Sequence, residues 1–179
     1  MDNSVTIKNL AENLKLSTFE EYGEYVKPDM SIEEALIELM SQECVLRHDK
    51  LVTRRINDAG LPNGKTIDTF KFAPGIPHLK KEHVEPLLSC QFIEDKMNCC
   101  ALGGSGTGKT HLMSAIGRVV VQKGYTVKFI RVSELVTMLS EASTEKSLGK
   151  MMKKLLKVSL LCLDELCEAL HNSSHVKRF

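Results

Sequence analysis

The 179-residue sequence predicts an α/β fold: a parallel sheet with crossover helices, arranged around a phosphate-binding loop and preceded by a helical extension. Three observations carry that expectation. Residues Gly103 to Thr110 read Gly-Gly-Ser-Gly-Thr-Gly-Lys-Thr, a complete G-x-x-x-x-G-K-[ST] pattern. Val158 to Glu165 is a short apolar run ending in two carboxylates. Between the two motifs, strand-like and helix-like segments alternate, which is the order a parallel sheet needs.

The first sixty residues read as helices. Ile7, Leu10 and Leu14 mark one apolar face over 5–16, and Phe19, Tyr22 and Val26 mark another over 18–27, where Thr18 and Glu21 fit a capping box. Ser31 and Glu34 form a second box, opening a longer helix that runs to about Ala59 and stops at Gly60 and Pro62. Its first half has an apolar face of Ile32, Ala35, Leu36 and Leu39, whereas its second half turns basic. Arg47, Lys50 and Arg54 share one face there, with Arg55 beside them. Such a stripe reads either as a neutraliser of DNA phosphates or as a solvated or subunit-pairing face.

Gly60, Pro62, Gly64, Pro74, Gly75 and Pro77 mark residues 60–78 as a linker, within which Phe70 and Phe72 are expected to pack on the following domain or to approach a base. Glu82 to Phe92 reads as a helix leading into an apolar strand over Met97 to Leu102. The loop follows, then a helix over Thr110 to Gln122 with Leu112, Met113, Ile116, Val119 and Val120 at helical spacing. Gly124 closes that helix. Tyr125 to Ile130 reads as a strand, Ser133 to Glu141 as a helix, and Lys146 to Lys157 as an amphipathic helix whose Met151 and Met152 are expected in the core.

The chemistry follows from residue types. Glycines let Gly103, Gly104, Ser105, Gly106, Thr107 and Gly108 curl so that their N–H groups face one concavity, which suits phosphate oxygens. The helix beginning near Lys109 and His111 aims its positive end at the same anion. Lys109 is placed to reach the outer phosphates, and the Thr110 hydroxyl to hold Mg²⁺. Asp164, delivered by the acidic strand, is the second candidate magnesium group, through water; Glu165 is placed to polarise an attacking water. The implied cofactors are ATP and Mg²⁺.

A net charge of +1 gives no global nucleic-acid or membrane signal, so any such contact must be a local patch. With no membrane-length apolar run and no signal-peptide pattern, a cytoplasmic location is expected, with no membrane partner. The six cysteines read as buried thiols, Cys99 and Cys100 on a buried strand and Cys162 on another. Cys167, His171 and His175 recur every four residues but lack a fourth zinc ligand, so the tail is expected to be frayed.

These motifs together resemble the IstB-type transposition helper ATPases and the related DnaC-type helicase loaders, both of the AAA+ superfamily. The resemblance rests on Gly103 to Leu112 after Asn98 and an apolar strand. It extends to Glu43 and Arg47, to Lys65 to Phe70, to Gly124 to Phe129, and to Leu161 to Leu166. It implies an AAA+-type P-loop NTPase fold with an ATP-dependent homo-oligomer on DNA, whose partner is a transposase or a replicative helicase. The implied layout is a helical extension over 1–62, a linker and lead-in helix over 63–96, the ATP-binding domain over 97–166 and a tail over 167–179. The basic residues Arg47, Lys50, Arg54 and Arg55 fall in the DNA- or partner-contacting extension of such proteins.

Two departures matter. Gly104 and Ser105 stand where relatives usually carry prolines, a change that glycine's backbone freedom tolerates. After Leu166 the residues do not resemble the expected continuation, with its sensor strand and arginine finger, so the sheet is expected to be incomplete after the Walker B strand. The phosphate-loop strand and the acidic strand must then pair directly or leave a gap between them. Hydrolysis is expected to be impaired, because an arginine finger supplies orders of magnitude in rate. The contrasting reading is an inactive remnant acting as an interaction module through its N-terminal helices.

Overall fold

The computed structural model describes residues 3–72 and 79–166. The chain divides into two compact units, the first ending at Thr53 and the second starting at Arg54. Pro74, Gly75 and Pro77 of the expected linker, and the tail with Cys167, His171 and His175, lie outside the described residues.

The first unit holds helices α1 (Asn3–Leu14), α2 (Ser17–Glu20) and α3 (Tyr22–Tyr25) and most of α4 (Ile32–Ala59), up to Thr53. The start of α4 is set by the expected reciprocal cap. The Glu34 N–H donates to Ser31 Oγ at 3.2 Å, and the Ser31 N–H donates to Glu34 Oε2 at 2.7 Å. Those bonds hold the Glu34 carboxyl below the usual carboxylate range, the backbone N–H of Ser31 contributing most. At the other end Gly60, with φ of 71°, takes the left-handed conformation that stops a helix.

The cap expected at Thr18 does not form. Leu16 occupies the N-cap of α2 without a side-chain bond, and Glu21 separates α2 from α3. Thr18 is buried, and its hydroxyl is 2.9 Å from Glu43 Oε2 and 3.3 Å from the Leu39 carbonyl oxygen, with the Thr18 N–H 3.1 Å from Glu43 Oε2. Arg47 Nε donates to Glu43 Oε1 at 2.7 Å, and its Nη2 donates to the Lys15 carbonyl at 2.9 Å. A long-range polar knot has therefore taken over a side chain that local spacing assigned to a cap. Burial alone raises the Glu43 carboxyl, but the bonds from Arg47 and Thr18 outweigh it and hold it below its ordinary value.

Glu43 is one of few buried groups in this unit, with Ala11, Thr18 and Leu39. Its removal leaves the buried Thr18 N–H and Arg47 Nε without their acceptor, while the Thr18 hydroxyl and Arg47 Nη2 keep the Leu39 and Lys15 carbonyls. Glu43→Ala is expected to destabilise the first unit by about 3 kcal/mol, read as lost helical signal in urea titration. Because the folded carboxyl is depressed, its contribution is complete above the ordinary value of 4.5 and disappears as pH falls through the lower folded value.

The second unit continues through the end of α4 into a turn-rich segment over 60–72, then α5 (Lys81–Leu88), α6 (Gln91–Glu94), α7 (Lys109–Gln122), β1 (Val127–Arg131), α8 (Val132–Thr144), α9 (Leu148–Leu155) and β2 (Leu160–Asp164). The helix expected over 82–92 is broken in two, since Cys90 adopts φ of 66° between α5 and α6. Strands β1 and β2 pair in parallel, with Val127 opposite Leu160 and Arg131 opposite Asp164. The crossover through α8 and α9 is the connection that a parallel pair needs. Helix α7 packs on this sheet at Gly117, where a Cβ atom would lie 2.8 Å from Leu61 Cδ2 and 3.6 Å from Val127 Cγ1. Phe70, Val84 and Leu112 form a buried cluster nearby, joined by Ile67, Leu79, Leu88 and Ile116.

Three expectations are corrected here. Residues 97–102 form no strand and are exposed, Leu102 by 84%. Cys99 and Cys100 are accordingly exposed, whereas Cys162 is buried and its thiol is pushed up to about 12, first by burial and then by the Asp164 carboxylate. The physical reason is pairing: among the described residues the sheet has two strands, and neither pairs with the 97–102 run. An apolar segment without a ladder partner cannot satisfy its backbone in a core. Met152 is also exposed rather than in the core, as are Leu148 on the same helix and Leu156 just beyond its end. No helix among the described residues is long and apolar enough to cross a membrane.

Candidate phosphate-binding site

The loop Gly103–Thr110 leads directly into α7. Gly106 and Gly108 carry φ of 75° and 87°, left-handed values that a side chain resists. No backbone acceptor among the described residues takes the N–H groups of Gly106, Thr107 or Gly108. The first helical bond of α7 runs from the Leu112 N–H to the Gly108 carbonyl at 2.9 Å, leaving the earlier N–H groups of that turn free. Free donors at a helix start are what an anion binds.

Lys109 Nζ donates to the carbonyls of Gly103 at 2.9 Å and Gly104 at 2.7 Å, and Thr107 Oγ1 donates to the Gly104 carbonyl at 2.9 Å. The ammonium thus lies folded over its own loop. Thr110 Oγ1 donates to Asp164 Oδ1 at 3.1 Å, joining two motifs 54 residues apart in sequence. Asp164 is buried at the last residue of β2. The Thr110–Asp164 pair sets a hydroxyl and a carboxylate side by side, the hard oxygen donors that would hold Mg²⁺, Asp164 through water.

Glu165 follows with φ of 61°, an unusual conformation for a non-glycine residue that turns the chain from β2 toward Leu166. Its Oε2 lies 3.7 Å from Arg131 Nε, both side chains being partly exposed. Arg131 ends β1 opposite Asp164, so strand register brings the cation to the acidic pair. A cleft of about 320 Å³ opens here, lined by Lys65, Thr110, Lys128, Arg131, Glu134 and Asp164 among others.

On the other side of the loop, His111 turns to the segment before α5. Its Nε2 lies 3.0 Å from the Thr66 carbonyl and 3.1 Å from Thr69 Oγ1, and since a carbonyl only accepts, Nε2 carries the proton. Phe70 stands edge-on to His111 and to Phe72, with ring centroids 5.4 and 5.0 Å apart. Thr69, Phe70, Lys71, Gly106, Thr107, Gly108 and His111 line a second cleft of about 240 Å³. A Cβ atom on Gly108 would come 3.2 Å from the Phe70 ring, which is itself fixed in the buried cluster. Gly108→Ala is therefore expected to destabilise the second unit by about 1–2 kcal/mol, measured as a lower urea midpoint at unchanged slope.

The structure thus brings together Gly103 to Thr110 and Asp164, and sets Glu165 one residue beyond Asp164. The four basic candidates of α4 are differently placed. Arg47 is bound to Glu43 and the Lys15 carbonyl, and Arg55 Nη1 donates to the Gly124 carbonyl at 3.0 Å. Lys50 and Arg54 are exposed and make no hydrogen bond or ion pair among the described residues. Thr66, Thr69 and Arg131 were not anticipated as site residues. The Thr66-x-x-Thr69 spacing of a hydroxyl-stabilised turn was visible; the position of Arg131 depends on register, which was not.

A family profile described as IstB-like ATP binding protein matches residues 6–173. A Geobacillus stearothermophilus protein named for insertion sequence IS5376 and for ATP binding is 35% identical over 138 residues, covering 77% of this chain and 55% of its own length. Its counterpart named for IS232 in Bacillus thuringiensis subsp. berliner is 30% identical, with 79% and 56% covered. A third, named for IS21 in Pseudomonas aeruginosa, is 33% identical, with 78% and 52% covered. The chain spans about half the length of these relatives.

Proposed function

The chain belongs to the IstB-like ATP binding protein family, and on that premise we propose that it takes up MgATP at the Gly103–Thr110 loop and assists DNA transposition by nucleotide-dependent assembly on DNA. The observation that carries this reading is the Thr110–Asp164 contact, which joins the two motifs that a magnesium-bound triphosphate needs. The free N–H groups of the loop take phosphate oxygens, and Lys109 leaves the Gly103 and Gly104 carbonyls for the outer phosphates. Thr110 and Asp164 hold the metal, which when bound neutralises the phosphate charge. Glu165 is the candidate to orient a water, with Arg131 limiting where its carboxylate can point. The cleft beside Phe70 and His111 suits the nucleoside end, placed as it is against the opposite flank of the loop.

Relatives named for insertion sequences favour a transposase over a replicative helicase as the partner. Turnover by these residues alone is expected to be slow. The run over 97–102 that leads into the loop is unpaired and exposed, so the loop lacks an anchored strand behind it. Titration of fluorescent ATP tests the nucleotide reading: saturable, Mg²⁺-dependent uptake competed by unlabelled ATP is expected. Absence of saturable uptake by chain that is folded by circular dichroism would sink it. ATP-dependent retention of a labelled duplex in gel-shift assays then tests assembly on DNA.

A further inference from the structure

Helix α9 carries the densest positive charge among the described residues, and nothing in the site uses it. Lys150, Lys153 and Lys154 fall within an arc of about 100° on α9, at 3.6 residues per turn, and Lys146 and Lys157 flank its two ends. All five are exposed, and none makes a side-chain hydrogen bond or ion pair among the described residues. No acidic residue occurs between Glu145 and Asp164, whereas the whole chain has a net charge of only +1, so the remainder is net acidic. The other face of α9 holds Leu148, Met151, Met152 and Leu155, and the helix packs on α8. The lysines lie on the side of α9 opposite to these apolar residues, of which Met151 and Leu155 are half-buried.

The basic half of α4 is a weaker candidate for the same task. There Arg47 and Arg55 are committed to internal acceptors, and Glu43, Asp49 and Asp58 interrupt the cations. A run of lysines with no acid between them and no internal partner is complementary to a surface of closely spaced negative charge. Duplex DNA presents one phosphate charge per about 1.7 Å of axis, so a helix of two turns faces several at once. We propose that the α9 lysine face binds the phosphate backbone of double-stranded DNA, without regard to base sequence. This rests on the reading that the protein assembles on DNA, and names the surface that does it.

The test measures anisotropy of a labelled duplex with the full chain and ATP over a range of salt concentrations. Replacing Lys150, Lys153 and Lys154 by Gln preserves helix propensity and is expected to lower the slope of log K against log [salt] by about 2.7, at about 0.9 per phosphate contact. Affinity near 0.1 M salt should then fall by roughly a hundredfold or more. Arginine at the same three positions should restore both, and each single Gln variant should lower the slope by about 0.9. Wild-type binding with an unchanged slope in the triple variant overturns the α9 surface while leaving assembly on DNA intact. No binding by wild-type chain that still takes up MgATP overturns both. Lysine-dependent binding to phosphatidylserine vesicles without binding to the duplex overturns the choice of DNA.

Discussion

Lys109→Ala is expected to weaken MgATP binding by about 3 kcal/mol, upwards of roughly a hundredfold in Kd, with little change in the stability of the free chain. The asymmetry comes from where the ammonium sits. In the free protein it bonds only to the Gly103 and Gly104 carbonyls of its own loop, neither of which is in the buried core. Losing those bonds leaves two carbonyls that water can reach. In the complex the same ammonium faces a triphosphate, and the measured loss is the phosphate interaction less the two carbonyl bonds exchanged for it. Thermal melts separate the two effects. At an ATP concentration about 100 times the wild-type Kd, ligand should stabilise the wild-type chain by about 2.7 kcal/mol, but the variant by only about 0.3 kcal/mol. A variant that keeps the full ATP-induced shift would remove Lys109 from the site.

How much of this was legible beforehand depended on whether the deciding partner was near in sequence. Ser31, Glu34 and Gly60 fixed the two ends of α4 through contacts within a few residues, and the structure has them as expected. The phosphate loop is equally local, since its shape follows from glycines at set spacing. Thr18 carried the same kind of local signal and was misread, because Glu43 at 25 residues' distance is the better acceptor. Residues 97–102 failed for a related reason. An apolar run says that a segment can be a strand, but a strand exists only when a neighbour supplies its ladder, and no such neighbour lies among the described residues. Arg131 became a site residue only once β1 and β2 were in register. The lysines of α9 stand out only through their exposure and their lack of internal partners, neither of which the apolar spacing of the helix reports.

Asp164→Asn is expected to abolish most of the Mg²⁺ dependence of ATP binding while preserving the fold. Asparagine keeps the shape of the side chain and an oxygen for the Thr110 hydroxyl, which now lies 3.1 Å away, so the link between α7 and β2 survives. What goes is the negative charge on a buried oxygen, the property that attracts a hard dication. In wild-type chain, removing Mg²⁺ with EDTA should cost about 2 kcal/mol, some thirtyfold in affinity, because the carboxylate then faces bare phosphates. In the variant that ratio should shrink to within about threefold. The sign of the second comparison is more discriminating than the size of the first. In EDTA the variant should bind ATP as well as wild type or better, since a repulsive charge has been removed. A residue that merely held β2 against α7 would weaken binding equally with and without the metal. Equal losses in both buffers, measured by calorimetric titration, would therefore return Asp164 to a structural role and separate the acidic strand from the chemistry of the loop.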